Sequence, residues 1–212
     1  NPLRDQTASH RTSPGSSNIE LDQDFNVAGE FKISKNFVLD SRKSGYLFLP
    51  VIDWDFRFQR PQQLANSLSK SGHDVLYVGT RFDSYSTKLE KRDDVTLAWL
   101  KGPRELNIYQ DWLTQAQILQ IDNSIQEILK VREVQNWTVV VQLPFWADLA
   151  LQLRDKYGFK LVYDCMDDHA GFSTNSKKML TREKSLVAES DLVIATSLTL
   201  YESLKEEAKN LA

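Results

Sequence analysis

The chain has little cysteine, little glycine, no long apolar run and no strong charge of either sign. Cys165 stands alone among 212 residues, which excludes an internal disulfide and fits a reducing compartment. No His or Cys spacing of the zinc type is present, and no metal ligand set is expected. Only 8 glycines occur, and none form the Gly-x-Gly-x-x-Gly fingerprint of a dinucleotide site. No apolar stretch approaches the roughly 20 residues that span a bilayer, and no signal peptide is visible, so the chain reads as soluble and cytoplasmic. The formal net charge is -3, with 26 basic and 29 acidic residues interspersed. Nucleic-acid binding through a bulk basic field is therefore not expected.

What is present is a core-forming composition: 41% of residues are apolar, enough for one ordinary domain and an appendage. Residues 1–44 are the appendage. Ser, Thr, Asn, Asp and Gln dominate up to Asp24, and this segment reads as a polar leader or linker. Its second half carries Phe25, Val27, Phe31, Ile33, Phe37 and Leu39, a spacing compatible with an edge strand. The chain opens on Asn1, and a longer parent protein is the corresponding expectation.

From Gly45 the pattern alternates strand and helix. Tyr46 to Ile52 is a short apolar run of the kind buried on both faces. Pro61 suits a first helical position, Leu64, Ala65 and Leu68 share a helical face, and Gly72 ends the helix before the strand Val75 to Gly79. This is a βαβ unit. A third strand is predicted at Val95 to Leu100, after a charged connection from Ser84 to Asp94 in which no helix is evident. A helix over Leu113 to Glu133 precedes strand four, Thr138 to Leu143. A helix striped by Trp146, Leu149, Ala150, Leu153 and Tyr157 and closed by Gly158 precedes strand five, Lys160 to Asp164. A helix over Asn175 to Glu189 leads to strand six, Leu192 to Thr196, and Thr199 to Glu202 forms a capping box for a last helix striped by Leu200, Leu204, Ala208 and Leu211. The order predicts an α/β fold with a doubly wound, mostly parallel Rossmann-like sheet of about six strands.

Such sheets bind ligands outside the carboxyl ends of their strands. Three loops of unusual chemistry fall there: Asp53 to Arg60, Gln142 to Trp146, and Cys165 to Phe172. In the first, Arg57 and Arg60 precede a helix amino terminus, where exposed N–H groups and the dipole favour anions. The alternative is that both arginines pair with Asp53 and Asp55 and hold the turn. Trp54, Phe56 and Phe58 offer a platform for a sugar face or a lipid-linked acceptor, or else core beneath the loop. The end of strand five and the third loop gather Asp164, Asp167, Asp168 and His169. Asp167 and His169 are candidates to orient or deprotonate an acceptor hydroxyl; their alternatives are loop-satisfying hydrogen bonds and an ordinary surface histidine. His73, before strand two, reads as structural.

The run Trp54 to Ala65, the Gly72-His73-Asp74-Val75 step, the Tyr163-Asp164-Cys165-Met166-Asp167-Asp168 segment and the strand Asp191 to Ser197 together resemble the amino-terminal half of bacterial group 1 glycosyltransferases, the family 4 type with the two-domain GT-B fold. The resemblance covers residues 45–212. It implies a retaining, metal-independent sugar transferase that needs no cofactor beyond its nucleotide-sugar donor and acts on a glycan or lipid-linked acceptor in polysaccharide biosynthesis. It also implies peripheral contact with the inner face of the membrane and a partner carboxy-terminal Rossmann domain bearing most donor contacts, without which this half would be inactive. Catalytic roles then fall to Asp167 and His169, and substrate binding to Trp54, Arg57, Arg60, Gln142, Asp164 and Asp168. Many relatives carry a glycine pair in the first loop; this sequence has none, and at strand four it reads Gln142-Leu143-Pro144-Phe145-Trp146. The rival reading is a non-catalytic sugar-binding or scaffolding module of a polysaccharide-assembly protein.

Overall fold

The computed structural model describes residues 44–169 and 177–212. Residues 1–43 of the polar leader, its Phe25 to Leu39 segment included, and the end of the loop predicted to run to Phe172 lie outside these residues. The elements are β1 (Gly45–Leu49), α1 (Arg60–Lys70), β2 (Asp74–Val78), β3 (Lys88–Arg92), β4 (Val95–Trp99), α2 (Gln115–Lys130), β5 (Trp137–Val141), a short 3-10 turn (Pro144–Trp146), α3 (Ala147–Tyr157), β6 (Lys160–Cys165), α4 (Lys177–Glu189), β7 (Leu192–Ala195) and α5 (Leu198–Leu204).

They build one seven-stranded sheet in the order β3-β4-β2-β1-β5-β6-β7. All pairings are parallel except β3 with β4. The order reverses between β1 and β5, which makes the crevice between their carboxyl ends the topological switch point.

Strand residues alternate between two apolar layers. Leu47, Leu49, Val139 and Val141 face the larger core, with Ile121 and Ile125 of α2, Leu149 and Leu153 of α3, and Leu186 of α4. Tyr46, Phe48 and Val140 face the smaller one, with Ala65 of α1. Burial on both faces explains why β1 and β5 read as unbroken apolar runs. Between α2 and α3 sits Asp122, fully buried, which accepts from Tyr157 Oη at 2.7 Å, Lys156 Nζ at 2.7 Å and Gln152 Nε2 at 2.9 Å. Gly158 ends α3 in the left-handed conformation at φ 69°, as a helix-closing glycine does.

Two predicted features differ. The connection from Ser84 to Asp94 contains β3, an antiparallel edge strand of sequence Lys-Leu-Glu-Lys-Arg joined to β4 by a turn in which Asp93 takes φ 51°. Its exposure on both faces removes the alternation by which strands are recognised, and its charge suits a sheet edge. The last helix starts earlier and is shorter than predicted. Ser197, not Thr199, is its cap, accepting the Leu200 N–H, and α5 ends at Leu204. Residues 210–212 instead run parallel beside β7, with Val193 N donating to Asn210 O at 2.8 Å and Ala195 N to Ala212 O at 2.8 Å. No helix among the described residues is long and apolar enough to cross a membrane.

Candidate functional site

The turn after β1 is held from within α1. Gln62, fully buried in the first helical turn, donates Nε2 to the carbonyls of Asp53 at 3.1 Å and Trp54 at 3.2 Å, and its Oε1 accepts the Gln59 N–H at 3.0 Å. Asp53 contributes its own carboxylate, accepting the Trp54 N–H at 2.9 Å and Thr80 Oγ1 at 3.2 Å. Gln62 was not singled out in the sequence, where an amide in a helical first turn carries no distinguishing mark.

The turn's aromatic residues divide. Trp54 packs edge-on to Tyr77 with centroids 5.0 Å apart and lies against the smaller core. Phe56 and Phe58 are 65% and 67% exposed, and the Arg57 guanidinium sits over the Phe56 ring at 5.3 Å. Neither arginine pairs with Asp53 or Asp55: the Asp55 carboxylate binds Arg92 instead, with Oδ1 at 2.9 Å from Nη1.

Arg60 reaches across the switch point. Its Nε donates to Asp164 Oδ1 at 3.0 Å and Oδ2 at 3.1 Å, and its Nη2 to Oδ1 at 2.8 Å. Asp164, on β6, is fully buried, and its Oδ2 also accepts Gln142 Nε2 at 2.9 Å from the end of β5. Three residues predicted from three loops thus form one hydrogen-bonded group. Gln142 Oε1 is buried with no hydrogen-bond partner among the described residues. Arg60 keeps 38% of its side chain exposed, so part of the guanidinium faces solvent beside the amino terminus of α1, where anions are favoured.

Beyond Asp164, Asp167 and Asp168 are exposed and His169 is buried. Burial pulls the His169 pKa below its ordinary value, against the pull of Asp167 and Asp168, which favours the neutral imidazole, the form that accepts a proton. Under this loop, Tyr163 Oη donates to Glu183 Oε1 at 3.0 Å. Desolvation pushes the Glu183 carboxyl up to about 7 and the Cys165 thiol up to about 12.

A cavity of about 1000 Å³ opens over the ends of β1, β2 and β4, and its lining includes Asp53, Asp55, Arg81, Trp99, Arg104 and Tyr109. Of these, only Asp53 and Asp55 lie in a loop the sequence marked. The rest lie after β2 or at and beyond the end of β4, where the rule that ligands sit at strand ends applies equally. Among the described residues, no group of three or more His, Cys, Asp or Glu side chains is arranged to hold a metal ion.

No family profile and no curated protein sequence matches the chain. Solved structures do. Sucrose-phosphate synthase from Thermosynechococcus elongatus superposes with a TM-score of 0.62 at 14% identity, over 81% of this chain and 47% of that one. An α,α-trehalose-phosphate synthase (UDP-forming) from Burkholderia vietnamiensis gives a TM-score of 0.50 at 10% identity, over 77% and 43%. An E. coli structure described as trehalose-6-phosphate bound with UDP-2-fluoro glucose gives 0.50 at 10%, over 77% and 42%. The described domain has the Rossmann-like fold of one half of a GT-B glycosyltransferase, and the chain spans about half the length of these neighbours.

Proposed function

We propose that residues 45–212 are the acceptor-side domain of a glycosyltransferase that moves a sugar from a nucleotide-sugar donor to a glycan or lipid-linked acceptor, with residues 1–44 as its leader. The observation that carries this is the Arg60–Asp164–Gln142 group at the switch point. A guanidinium fixed by a buried carboxylate, at a helix amino terminus, offers preorganised stabilisation to an anionic group. Sugar transfer from a nucleotide diphosphate demands that the departing charge be stabilised and the acceptor hydroxyl be held in line.

In this reading Arg60 meets a phosphate or acidic group with the donors it does not spend on Asp164. Asp164 and Gln142 position Arg60. Asp167 and His169, on the loop that follows, orient the acceptor hydroxyl and take its proton. Burial that favours the neutral imidazole of His169 supports the second role. Trp54 acts through the turn it braces, and Arg57 and Asp168 contribute at the rim. The donor-side contacts belong to a second Rossmann domain, and the reaction is retaining and metal-independent, taking place in the cytoplasm, at the membrane face when the acceptor is lipid-linked, within bacterial polysaccharide biosynthesis.

The test is transfer of labelled sugar from a panel of nucleotide-sugars by this domain joined to its donor-side partner. Arg60→Ala and Asp167→Ala are each expected to lower kcat/KM by about 100-fold while unfolding stays cooperative. Wild-type rates in both would remove these residues from the site. Failure of every donor to be turned over, with sugars still bound, would favour a sugar-binding module.

A further inference from the structure

Arg81 and Arg104 are set apart from the other arginines of the described residues. Arg60, Arg92, Arg132, Arg154 and Arg182 each bind a carboxylate, and Arg57 lies on the Phe56 ring. Arg81 and Arg104 have no such partner among the described residues, and both line the cavity of about 1000 Å³. Both also line a neighbouring cavity of about 510 Å³, as does Trp99. The two guanidinium groups and the indole therefore mark the place where the two spaces meet.

Trp99 is held there by a small neighbour. A Cβ at Gly79 would lie 2.7 Å from Trp99 Cδ1 and 2.9 Å from Nε1, so only glycine after β2 lets the indole lie over the strand end. The ring is half-buried, packed against the smaller core, and offers an aromatic face of the kind on which the C–H face of a sugar rests. Asp53, Asp55 and Asn107 line the larger cavity but not the smaller one, and are acceptors and donors for hydroxyl groups. A polyanion spanning the cavity would meet the two carboxylates. A ligand with hydroxyls for the carboxylates and one anionic group for the arginines meets a complementary partner for each.

We propose that this cavity binds an acidic sugar, with the anionic group, phosphate ester or carboxylate, held between Arg81 and Arg104 and the ring resting on Trp99. About 1000 Å³ is at the upper end of ordinary ligand pockets and holds more than one sugar ring. The identification of this sugar as the acceptor rests on the glycosyltransferase reading; its binding does not.

The experiment is NMR titration of the 212-residue chain with glucose 6-phosphate, glucuronate, glucose and inorganic phosphate, following the Trp99 indole N–H, identified by its loss in Trp99→Phe. One or both acidic sugars are expected to shift this signal and to bind at least about tenfold more tightly than glucose, since charge-assisted bonds are about twice as strong as neutral ones. Which of the two binds separates phosphate from carboxylate as the group recognised. Arg81→Gln and Arg104→Gln, both at exposed positions, are expected to abolish the preference. Equal binding of glucose, binding of phosphate alone with the same affinity, no binding at all, or a preference that survives both substitutions would overturn the proposal. The two readings fail separately. Transfer to a neutral acceptor without acidic-sugar binding would leave the transferase and remove this site, whereas acidic-sugar binding without transfer to any acceptor would do the reverse.

Discussion

Arg60, at the first position of α1, and Asp164, near the end of β6, are 104 residues apart in sequence and share three hydrogen bonds of 2.8 to 3.1 Å, so the turn after β1 is tied to the far half of the sheet. Removing the arginine leaves a fully buried carboxylate with only Gln142 as partner among the described residues. Arg60→Ala is expected to cost about 2 kcal/mol, below the full figure for a buried pair because the guanidinium is partly solvated. Asp164→Asn in the same background should recover much of that loss. Urea denaturation of the two single variants and the double variant measures the coupling, and additive effects would show that the pair contributes nothing.

The Gln62 side chain braces the turn through two carbonyls and one N–H. Gln62→Ala should destabilise the domain by about 1 to 2 kcal/mol. Amide exchange between Trp54 and Gln59 should rise about tenfold or more, with the strands unchanged. Uniform acceleration across the sheet would instead mean that Gln62 serves global stability alone.

Glu183 links stability to pH. Its carboxyl is raised to about 7 in the folded protein by burial, whereas the unfolded chain titrates near the usual carboxylate value. Below that value both states hold the proton and nothing is gained or lost. As pH rises toward 7 the unfolded chain releases its proton first, so stability falls across this window and levels above it. Part of the group sees water, and the loss is expected to be about 2 kcal/mol. Glu183→Gln should flatten the profile between pH 5 and pH 7 in thermal melts; an unchanged slope would place the titration elsewhere.

Gly45 admits no side chain. A Cβ there would lie 2.5 Å from the ring of Trp137, which is itself fixed by an Nε1 bond to Val134 O at 3.0 Å. Gly45→Ala should cost about 2 kcal/mol through overpacking, and Trp137→Leu should relieve part of it. A neutral Gly45→Ala in chemical denaturation would show that the indole moves freely.

Much of this architecture was legible before any coordinates. Parallel strands buried on both faces, such as β1 and β5, announce themselves as apolar runs, and proline and glycine punctuate α1 and α3. The edge strand β3 was not legible, because charged residues on both faces leave no period to detect. The ladder formed by residues 210–212 escaped because Leu204, Ala208 and Leu211 keep helical spacing while α5 ends at Leu204. In the site, polar and charged groups in the loops at strand ends pointed to Arg60, Gln142 and Asp164, but no pattern in a sequence tells which carboxylate an arginine will meet. The sequence offered Asp53 and Asp55 as partners close in the chain. The switch-point geometry supplies Asp164 instead, and frees Asp55 for Arg92.

The two lateral borders of the sheet have a consequence for how the protein behaves at high concentration. One border is β3, where two lysines, a glutamate and an arginine flank a single leucine. Along the other, residues 210–212 occupy the hydrogen-bonding groups of β7. A neighbouring molecule that tried to extend the sheet would meet charge on one side and an already satisfied backbone on the other. Fibrillar growth by strand addition is thereby resisted at both ends of a sheet whose interior strands are among the most apolar segments of the chain.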